Sequence, residues 1–282
     1  MKTAWIKNLL LVALVTALAL YAIYQPNPQD EIKRFEISTL GKAAVTKIVI
    51  EPKGAPRIEL SKQGDDWMLV QPFAARADRN QVDRMLDLLA ARSNEKLAAS
   101  ELQRFDLDAP AMRVTFNDKS IAFGTVNPVT QDQYVLSGDG VYLLAPYFRS
   151  LIPEDGKRLL THALLRPGEK PVAFALPGFS VQQENGKWAM TPAPASEQDR
   201  LSQDDFNRWV DDWTLASSLL TQPSGDQQAG EWIELRLADG KTLRLGILQR
   251  EPELALARSD EKLSFYYSAE TAKRLLSAPR AA

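Results

Sequence analysis

One pattern occurs twice in this sequence, and it constrains the fold more than any other feature does. The first copy is GDDWMLVQPFAARADRNQVDRMLDLL at residues 64–89, and the second is ENGKWAMTPAPASEQDRLSQDDFNRWVDDW at residues 184–213. Each copy contains a turn with Gly, a short strand with a central Trp, a Pro that ends the strand, and an amphipathic helix. The pattern therefore predicts two copies of one small folding unit.

The residues around the two copies repeat as well. The landmark pairs are Trp67 and Trp188, 121 positions apart, Gly124 and Gly246, 122 apart, and Tyr142 and Phe265, 123 apart. A nearly constant offset is typical of a tandem duplication. We therefore expect a first module at residues 45–152, a connector at residues 153–171 and a second module at residues 172–279.

Within each module, the apolar residues predict antiparallel hairpins and one amphipathic helix. Helix starts are expected at Asp78 and Ser202, because Gln81 and Asp205 follow three residues later, which is capping-box spacing. The predicted hairpins join residues 112–116 to 121–123, 133–137 to 141–144, 233–237 to 243–247 and 254–257 to 263–267. Antiparallel strands with a segregated helix favour the α+β class over a doubly wound sheet.

Three further helical segments are expected. Residues 147–151 and 270–276 should close the two modules as a helical turn and a helix. The middle of the connector, RLLTHALLR at residues 158–166, is apolar enough to pack against one module as a short helix.

Residues 1–24 are expected to form a transmembrane signal anchor. Two lysines precede an uncharged apolar run from Leu9 to Tyr24, which spans about 25 Å as a helix and makes residues 5–24 the membrane contact. The lysines predict a cytoplasmic N-terminus, with the bulk of the chain in the periplasm of a bacterium after a spacer at residues 25–44. The alternative is a signal peptide cleaved after Ala19, but the apolar run continues beyond that position.

Composition excludes several classes of function. Lys and Arg number 34 against 36 Asp and Glu, and no long basic block occurs, which disfavours nucleic acid as a partner. The chain has no cysteine, which excludes disulfides, thiolate metal sites and cysteine nucleophiles.

Candidate catalytic motifs in the sequence are better explained as structure. His162 is the single histidine, and no GxSxG elbow accompanies it. The segment from Gly240 to Thr242 ends like a phosphate-binding loop, but it joins two predicted strands, whereas such a loop must open a helix. With one histidine and no calcium-loop pattern, we expect neither a metal nor a cofactor.

Paired carboxylates and a pair of tryptophans are also better explained as structure. The carboxylate pairs are Asp65-Asp66, Asp204-Asp205 and Asp211-Asp212. Glycoside hydrolysis needs two carboxyls across a sugar, and adjacent residues point in different directions, so we interpret these as caps, turns and solvated surface. Trp209 and Trp213 share a helix face with Phe206 and Val210, which favours core packing over sugar binding. Trp67 and Trp188 are expected to be core residues of the two modules.

Several of these residues together resemble a family of bacterial envelope proteins, domain-of-unknown-function family 4340. The matching residues are Trp67, Pro72, Ala77-Asp78, the segment Phe105–Pro110, Gly124, Tyr134-Val135 and Val141-Tyr142. Asp106 stands where the family usually has Gly. The resemblance covers most of the first module and the second only in outline.

The resemblance implies an exported accessory protein. Similar proteins have one N-terminal membrane segment, and many are encoded beside ABC-type transporters related to those of gliding motility. The resemblance supplies no catalytic residue. We therefore expect a non-catalytic, membrane-anchored protein of the bacterial inner membrane that contacts an ABC transporter permease or another envelope assembly. The alternatives are a module that binds lipid or peptide between the two copies, and an envelope hydrolase with a carboxylate site.

Overall fold

The computed structural model describes residues 11–21, 34–193, 201–225 and 228–281. Residues 11–21 form a helix, α1, and its side chains are exposed. Within the described ranges, no helix combines the length and the apolar character that crossing a membrane requires. The rest of the predicted anchor, residues 1–10 and 22–24, lies outside the described residues, as does the spacer up to residue 33.

The first half of the body is built on an antiparallel sheet of nine strands. Their order across the sheet is β5-β4-β3-β2-β8-β9-β10-β11-β7. A separate two-stranded sheet pairs β1 with β6. The strands are β1 (Phe35–Glu36), β2 (Lys47–Pro52), β3 (Ile58–Gln63), β4 (Asp66–Gln71), β5 (Ala75–Arg76), β6 (Arg92–Ser93), β7 (Lys96–Ala98), β8 (Met112–Phe116), β9 (Lys119–Val126), β10 (Gln133–Ser137) and β11 (Gly140–Leu144).

The second half contains an antiparallel sheet of eight strands. Their order is β14-β13-β12-β16-β17-β18-β19-β15, which matches the order from β4 to β7 in the first sheet strand for strand. The strands are β12 (Pro171–Leu176), β13 (Phe179–Glu184), β14 (Lys187–Thr191), β15 (Leu220–Pro223), β16 (Glu231–Leu237), β17 (Thr242–Gln249), β18 (Leu254–Arg258) and β19 (Leu263–Tyr267).

The helices that the structure describes in the body are α2 (Arg79–Leu86), α3 (Tyr147–Ser150), α4 (Gln203–Thr214) and α5 (Ala269–Leu276). Helices α2 and α4 begin where the capping pattern predicts. The Asp78 carboxylate accepts a hydrogen bond of 3.0 Å from the Gln81 N–H at the start of α2. At the start of α4, Ser202 and Asp205 form a complete capping box, each side chain accepting from the other residue's N–H. The mixed α+β class and the predicted hairpins are therefore confirmed.

Helices α2 and α4 cover their sheets with one apolar face. Val82, Met85 and Leu86 of α2 are buried, and α4 buries Phe206, Trp209 and Trp213. In the second half, the ring of Phe174 on β12 lies 4.8 Å from that of Trp209 in an edge-on contact. One continuous hydrophobic cluster includes residues of both sheets, so the two halves share a core.

The prediction of a short helix at residues 158–166 is wrong. Residues 156–159 form a single 3-10 turn, and the chain then runs extended between the two halves. Thr161 N–H donates to the Arg76 carbonyl of the first sheet at 3.1 Å, and His162 O accepts from Ser218 N–H of the second half at 2.8 Å. An extended strand satisfies edge groups on both sides, which a helix with internally bonded backbone cannot do.

Five short strands were not predicted from the sequence: β1, β5, β6, β7 and β15. They contain two to four residues each, too few for a period-two pattern to be recognised.

Candidate functional site

The junction between the two halves contains a buried cluster of charged side chains. Arg76, which is 5% exposed, reaches from β5 of the first sheet to Glu261 in the β18–β19 turn of the second. Its Nε and Nη2 lie 3.1 and 3.2 Å from the two carboxylate oxygens of Glu261. It also donates to the carbonyls of Ala163 at 2.6 Å and Leu165 at 3.1 Å. One arginine thus ties both sheets to residues 160–165 of the connector, which we name the connecting strand.

Arg258, at the end of β18, is the second buried arginine of the cluster and is 1% exposed. Its Nη1 and Nη2 donate to Glu169 at 2.8 and 2.6 Å, and Nε and Nη2 donate to Asp260 at 2.9 and 3.0 Å. Arg166 completes the cluster with a contact of 2.6 Å from Nε to Glu261. Three arginines therefore face three carboxylates.

The protonation states follow from burial and these contacts. Burial lowers the pKa of Arg76, and the charge of Glu261 offsets only part of this effect. Burial also acts to lower the pKa of Arg258, but hydrogen bonds to Glu169 and Asp260 outweigh it and raise that pKa. The same bonds hold the pKa of Glu169 below its usual value despite burial. Charges paired in this way fix the geometry of the junction, because removing one partner leaves the other buried without compensation.

Two extended segments enter the sheets in the same manner. We name residues 35–37 the first lead-in segment and residues 162–164 the second. The Ile37 N–H donates to the Ala91 carbonyl at 3.3 Å, and the Leu164 N–H donates to the Ala216 carbonyl at 3.3 Å. Ala91 follows α2 and Ala216 follows α4, so each lead-in segment lies against the residues just after that helix.

An open cavity of about 560 Å³ lies beside the first lead-in segment. Its walls come from residues 36–39, from β8 and β9, and from the β10–β11 turn. The charged side chains in these walls are Glu36, Arg113, Asp118, Lys119 and Asp139. This cavity is polar and faces solvent, in contrast to the closed charge cluster at the junction.

His162 lies in the second lead-in segment, where its ring makes a structural hydrogen bond. Its Nδ1 is 3.0 Å from the Ser218 carbonyl oxygen, which can only accept, so Nδ1 carries the proton. The Ser218 hydroxyl lies 3.3 Å from the same Nδ1 and 2.8 Å from the Thr221 hydroxyl. A protonated Nδ1 cannot take a proton from Ser218, so this contact does not form the base–nucleophile pair of a serine hydrolase.

The paired aspartates serve the roles expected from the sequence at the positions where the structure describes contacts. Asp205 is the capping-box residue of α4, and its hydrogen bonds with Ser202 lower its pKa, whereas a general acid needs a raised pKa. Asp212 pairs with Arg274 of α5 at 3.3 Å. The backbone carbonyl of Asp65 accepts from the Arg79 side chain.

The remaining motif residues lie in turns and in the core. Residues 240–242 form the turn and first residue of the β16–β17 hairpin, as predicted, and no helix starts there. Trp67, Trp209 and Trp213 are buried, which confirms core packing. Trp188 is only partly buried, because it lies on β14 at the edge of the second sheet.

Sequence reasoning missed the charge cluster entirely. Arg76 and Glu261 are separated by 185 residues, and isolated charges at such distances carry no pattern. The local sequence offers one hint, an arginine flanked by Ala75 and Ala77. In the structure, all three of these residues are buried. In the portions of the chain that the structure describes, no group of three or more His, Cys, Asp or Glu is placed to hold a metal ion.

Comparisons with known proteins give one match. The family described as Domain of unknown function (DUF4340) matches residues 67–222, which is more than half of the 282-residue chain. No curated protein and no solved structure matches. The match begins at Trp67, within β4, and extends through the connecting strand and α4, so it covers the elements that connect the two halves. The chain therefore belongs to the family of this domain of unknown function, DUF4340.

Proposed function

We propose that this protein is a non-catalytic, membrane-tethered accessory protein of the bacterial envelope, which binds a membrane protein partner such as the permease of an ABC-type transporter. The observation that carries this proposal is helix α1. Its residues are apolar on all sides, and Leu11, Leu14 and Leu18 are 58–64% exposed. A helix that is apolar all round requires an apolar environment on all sides, and a lipid bilayer provides one.

The sequence on both sides of α1 supports the tether. The uncharged run extends from Leu9 to Tyr24, and the lysines that precede it favour a cytoplasmic N-terminus. The body that follows α1 would then lie on the periplasmic side, attached through residues 25–34. The sequence after residue 24 is mildly acidic, and a net charge of this kind favours the solubility of a domain held beside a membrane.

The two sheets are, we infer, copies of one duplicated unit. Their matching strand order supports this inference, and so does the identical use of the two lead-in segments. Gly124 and Gly246 supply a third likeness, because a Cβ at either position would meet a passing segment, at 2.0 Å from the Phe105 carbonyl and 2.5 Å from the Ala229 Cβ. Glycines crowded by another segment on the corresponding strands β9 and β17 are expected of a duplication.

A rigid pair of modules suits a protein whose task is to present surfaces. The connecting strand bonds to both halves, and the buried Arg76–Glu261 contact holds them in one orientation. Such a body presents the surfaces of its two halves in one fixed orientation relative to each other.

A fractionation experiment tests the tether. The full-length protein is expected to remain in the membrane pellet after carbonate washing, and the double variant V15K/L18K is expected to move to the supernatant because charges inside the bilayer are costly. The control V129K places a lysine at a residue that is 87% exposed on the body, and should stay in the pellet. The proposal would be overturned if the wild-type protein were released from the membrane by carbonate, or if its intact mass matched a chain that starts at Leu20.

A co-purification experiment tests the partner. Mild-detergent purification of the tagged full-length protein should retain an ABC permease and its ATPase. Recovery of the protein alone, with the anchor intact in the membrane, would remove the accessory role while leaving the tether.

A further inference from the structure

Three exposed leucines lie close together in the chain just after α4. Leu215, Leu219 and Leu220 are 76%, 64% and 51% exposed. In the part of the body that the structure describes, Leu97 is the only other exposed leucine. The stretch from Trp213 to Gly225 also contains no charged residue, in a chain that is 25% charged. An exposed apolar group of this kind is typical of an interaction surface.

A cavity of about 250 Å³ between α4 and α5 is rich in cations. Its walls carry four cations and two carboxylates, which are Arg208, Lys273, Arg274, Arg280, Asp205 and Asp212. Lys273 and Arg274 belong to the last turn of α5, where the helix dipole favours cations. That effect does not account for Arg208 on α4 or for Arg280 beyond α5, and both reach the same cavity.

Both carboxylates of this cavity are already paired with arginines of the same walls, at 3.3 Å for Asp212 and Arg274. Arg274 also contacts Glu270 at 3.0 Å, outside the walls. Lys273 and Arg280 are exposed and have no ion-pair partner among the residues that the structure describes. The cavity therefore complements an anion, because its unpaired charges are both positive.

The leucines and these cations lie on one continuous surface. A second cavity has Leu215 in its wall together with Arg208 and Arg274, so it adjoins the first. Asp211 is the one carboxylate that it adds to the first cavity. We name this set of residues the α4–α5 surface; it comprises Arg208, Leu215, Leu219, Leu220, Lys273, Arg274 and Arg280.

We propose that the α4–α5 surface docks on a lipid bilayer that carries anionic headgroups, with its leucines in the interface and its cations on the headgroup phosphates. An anionic bilayer offers both chemistries side by side, whereas a free anion would leave the leucines without a partner. The proposal rests on the membrane tether inferred above. Residues 22–33 join α1 to the body and can extend to about 40 Å at most, which lets the body turn this surface to the bilayer.

A fluorescent label tests the docking in the full-length protein. The chain has no cysteine, so Leu219→Cys gives a single site for an NBD dye. The protein is reconstituted into nanodiscs of phosphatidylcholine, alone or with about 30% phosphatidylglycerol. In the anionic discs, we expect blue-shifted emission of the dye and at least about threefold slower reduction by dithionite. The same dye on Val129→Cys, at a residue that is 87% exposed in the first half, should stay accessible in both discs.

A charge variant tests the cations. Lys273→Gln combined with Arg280→Gln should lower the ratio of docked to undocked protein at least about tenfold, because each cation near an anionic surface adds to binding. The control combines Lys53→Gln with Lys187→Gln. It removes the same charge at exposed lysines outside the α4–α5 surface, and should leave the ratio unchanged.

A second variant tests the leucines. Leu215→Ser combined with Leu220→Ser should abolish the blue shift in the anionic discs, because the interface then gains no apolar side chain from these positions. The control combines Val126→Ser with Val129→Ser, which are 42% and 87% exposed in the first half, and should keep the shift.

Three outcomes would overturn the proposal. A label that stays accessible in both kinds of disc would leave the leucines to a protein partner. Equal protection in both kinds would show that the cations take no part. Loss of protection in phosphate, but not in chloride of the same ionic strength, would assign the cavity to a free phosphate-type anion.

Failure of the tether is seen separately, because the protein would then not stay with the discs. Anionic vesicles added to such unanchored protein should still protect the label if the α4–α5 surface docks by itself. An accessible label there would overturn the docking proposal as well.

Discussion

Ser137 and Arg258 each donate a hydrogen bond of 2.6 Å to a backbone carbonyl of the segment that leads into their module, at Ile37 and Leu164 respectively. In the first half, the donor is the Ser137 hydroxyl. The guanidinium in the second module makes the same contact and also gathers Glu169 and Asp260 into the charge cluster. The same kind of backbone contact is thus made by a neutral donor in the first half and by a charged donor in the second.

The Arg76–Glu261 contact should be a large contributor to stability. Glu261→Gln leaves three arginines near a neutral amide in a buried site, and we expect the free energy of unfolding to fall by about 3–5 kcal/mol. Urea unfolding measures this change. The control Glu234→Gln breaks an exposed pair with Arg244 and should cost less than about 1 kcal/mol. Equal losses in both variants would contradict a structural role for the cluster.

Acid should weaken the junction through Glu169. Its pKa is held below the usual 4.5, mainly because the hydrogen bonds from Arg258 outweigh the effect of burial. A carboxylate of this kind stabilises the fold above its unfolded pKa, and that contribution is lost as the pH falls through the folded pKa. Glu169→Gln should therefore be less stable than wild type at pH 7, with the gap narrowing below about pH 4.5. Urea midpoints between pH 7 and 3 test this, and a constant gap would refute it.

Glycine at position 124 should be required by packing. An alanine Cβ there would lie 2.0 Å from the Phe105 carbonyl oxygen, which is backbone and must move to make room. We expect Gly124→Ala to lower stability by about 1–3 kcal/mol in thermal unfolding. Gly41→Ala is the control, since no atom lies within 4 Å of its added Cβ. A neutral Gly124→Ala would show that the loop at Phe105 adapts freely.

The capping box of α4 should hold the first turn of that helix. Ser202→Ala removes the acceptor for the Asp205 N–H, and we expect a loss of about 1 kcal/mol. Hydrogen exchange should also accelerate at residues 203–206. Ser217→Ala, at an exposed position after the helix, serves as the matched control. Unchanged exchange at the start of α4 would mean that packing of Phe206 and Trp209 alone fixes the helix end.

Local patterns predicted much of the fold. The caps at Asp78 and Ser202 gave the helix starts, and the turns at Asn117 and Gly240 gave the hairpins, because each depends on residues within a few positions of one another. The helical prediction for residues 158–166 failed for the opposite reason. That segment lies between β5 and the chain that follows α4, and it satisfies hydrogen-bonding groups of both. No local pattern carries information about those distant groups.

The α+β class, the repeated Trp–Pro–helix pattern and the family resemblance could all be read from local sequence patterns. Which charges meet could be learned from the folded structure alone. Arg76, Glu169, Arg258 and Glu261 come from distant parts of the chain and are brought together by the connecting strand, which runs between the two sheets. Hydrophobic periodicity and capping act over a few residues, whereas a buried ion pair depends on the complete path of the chain.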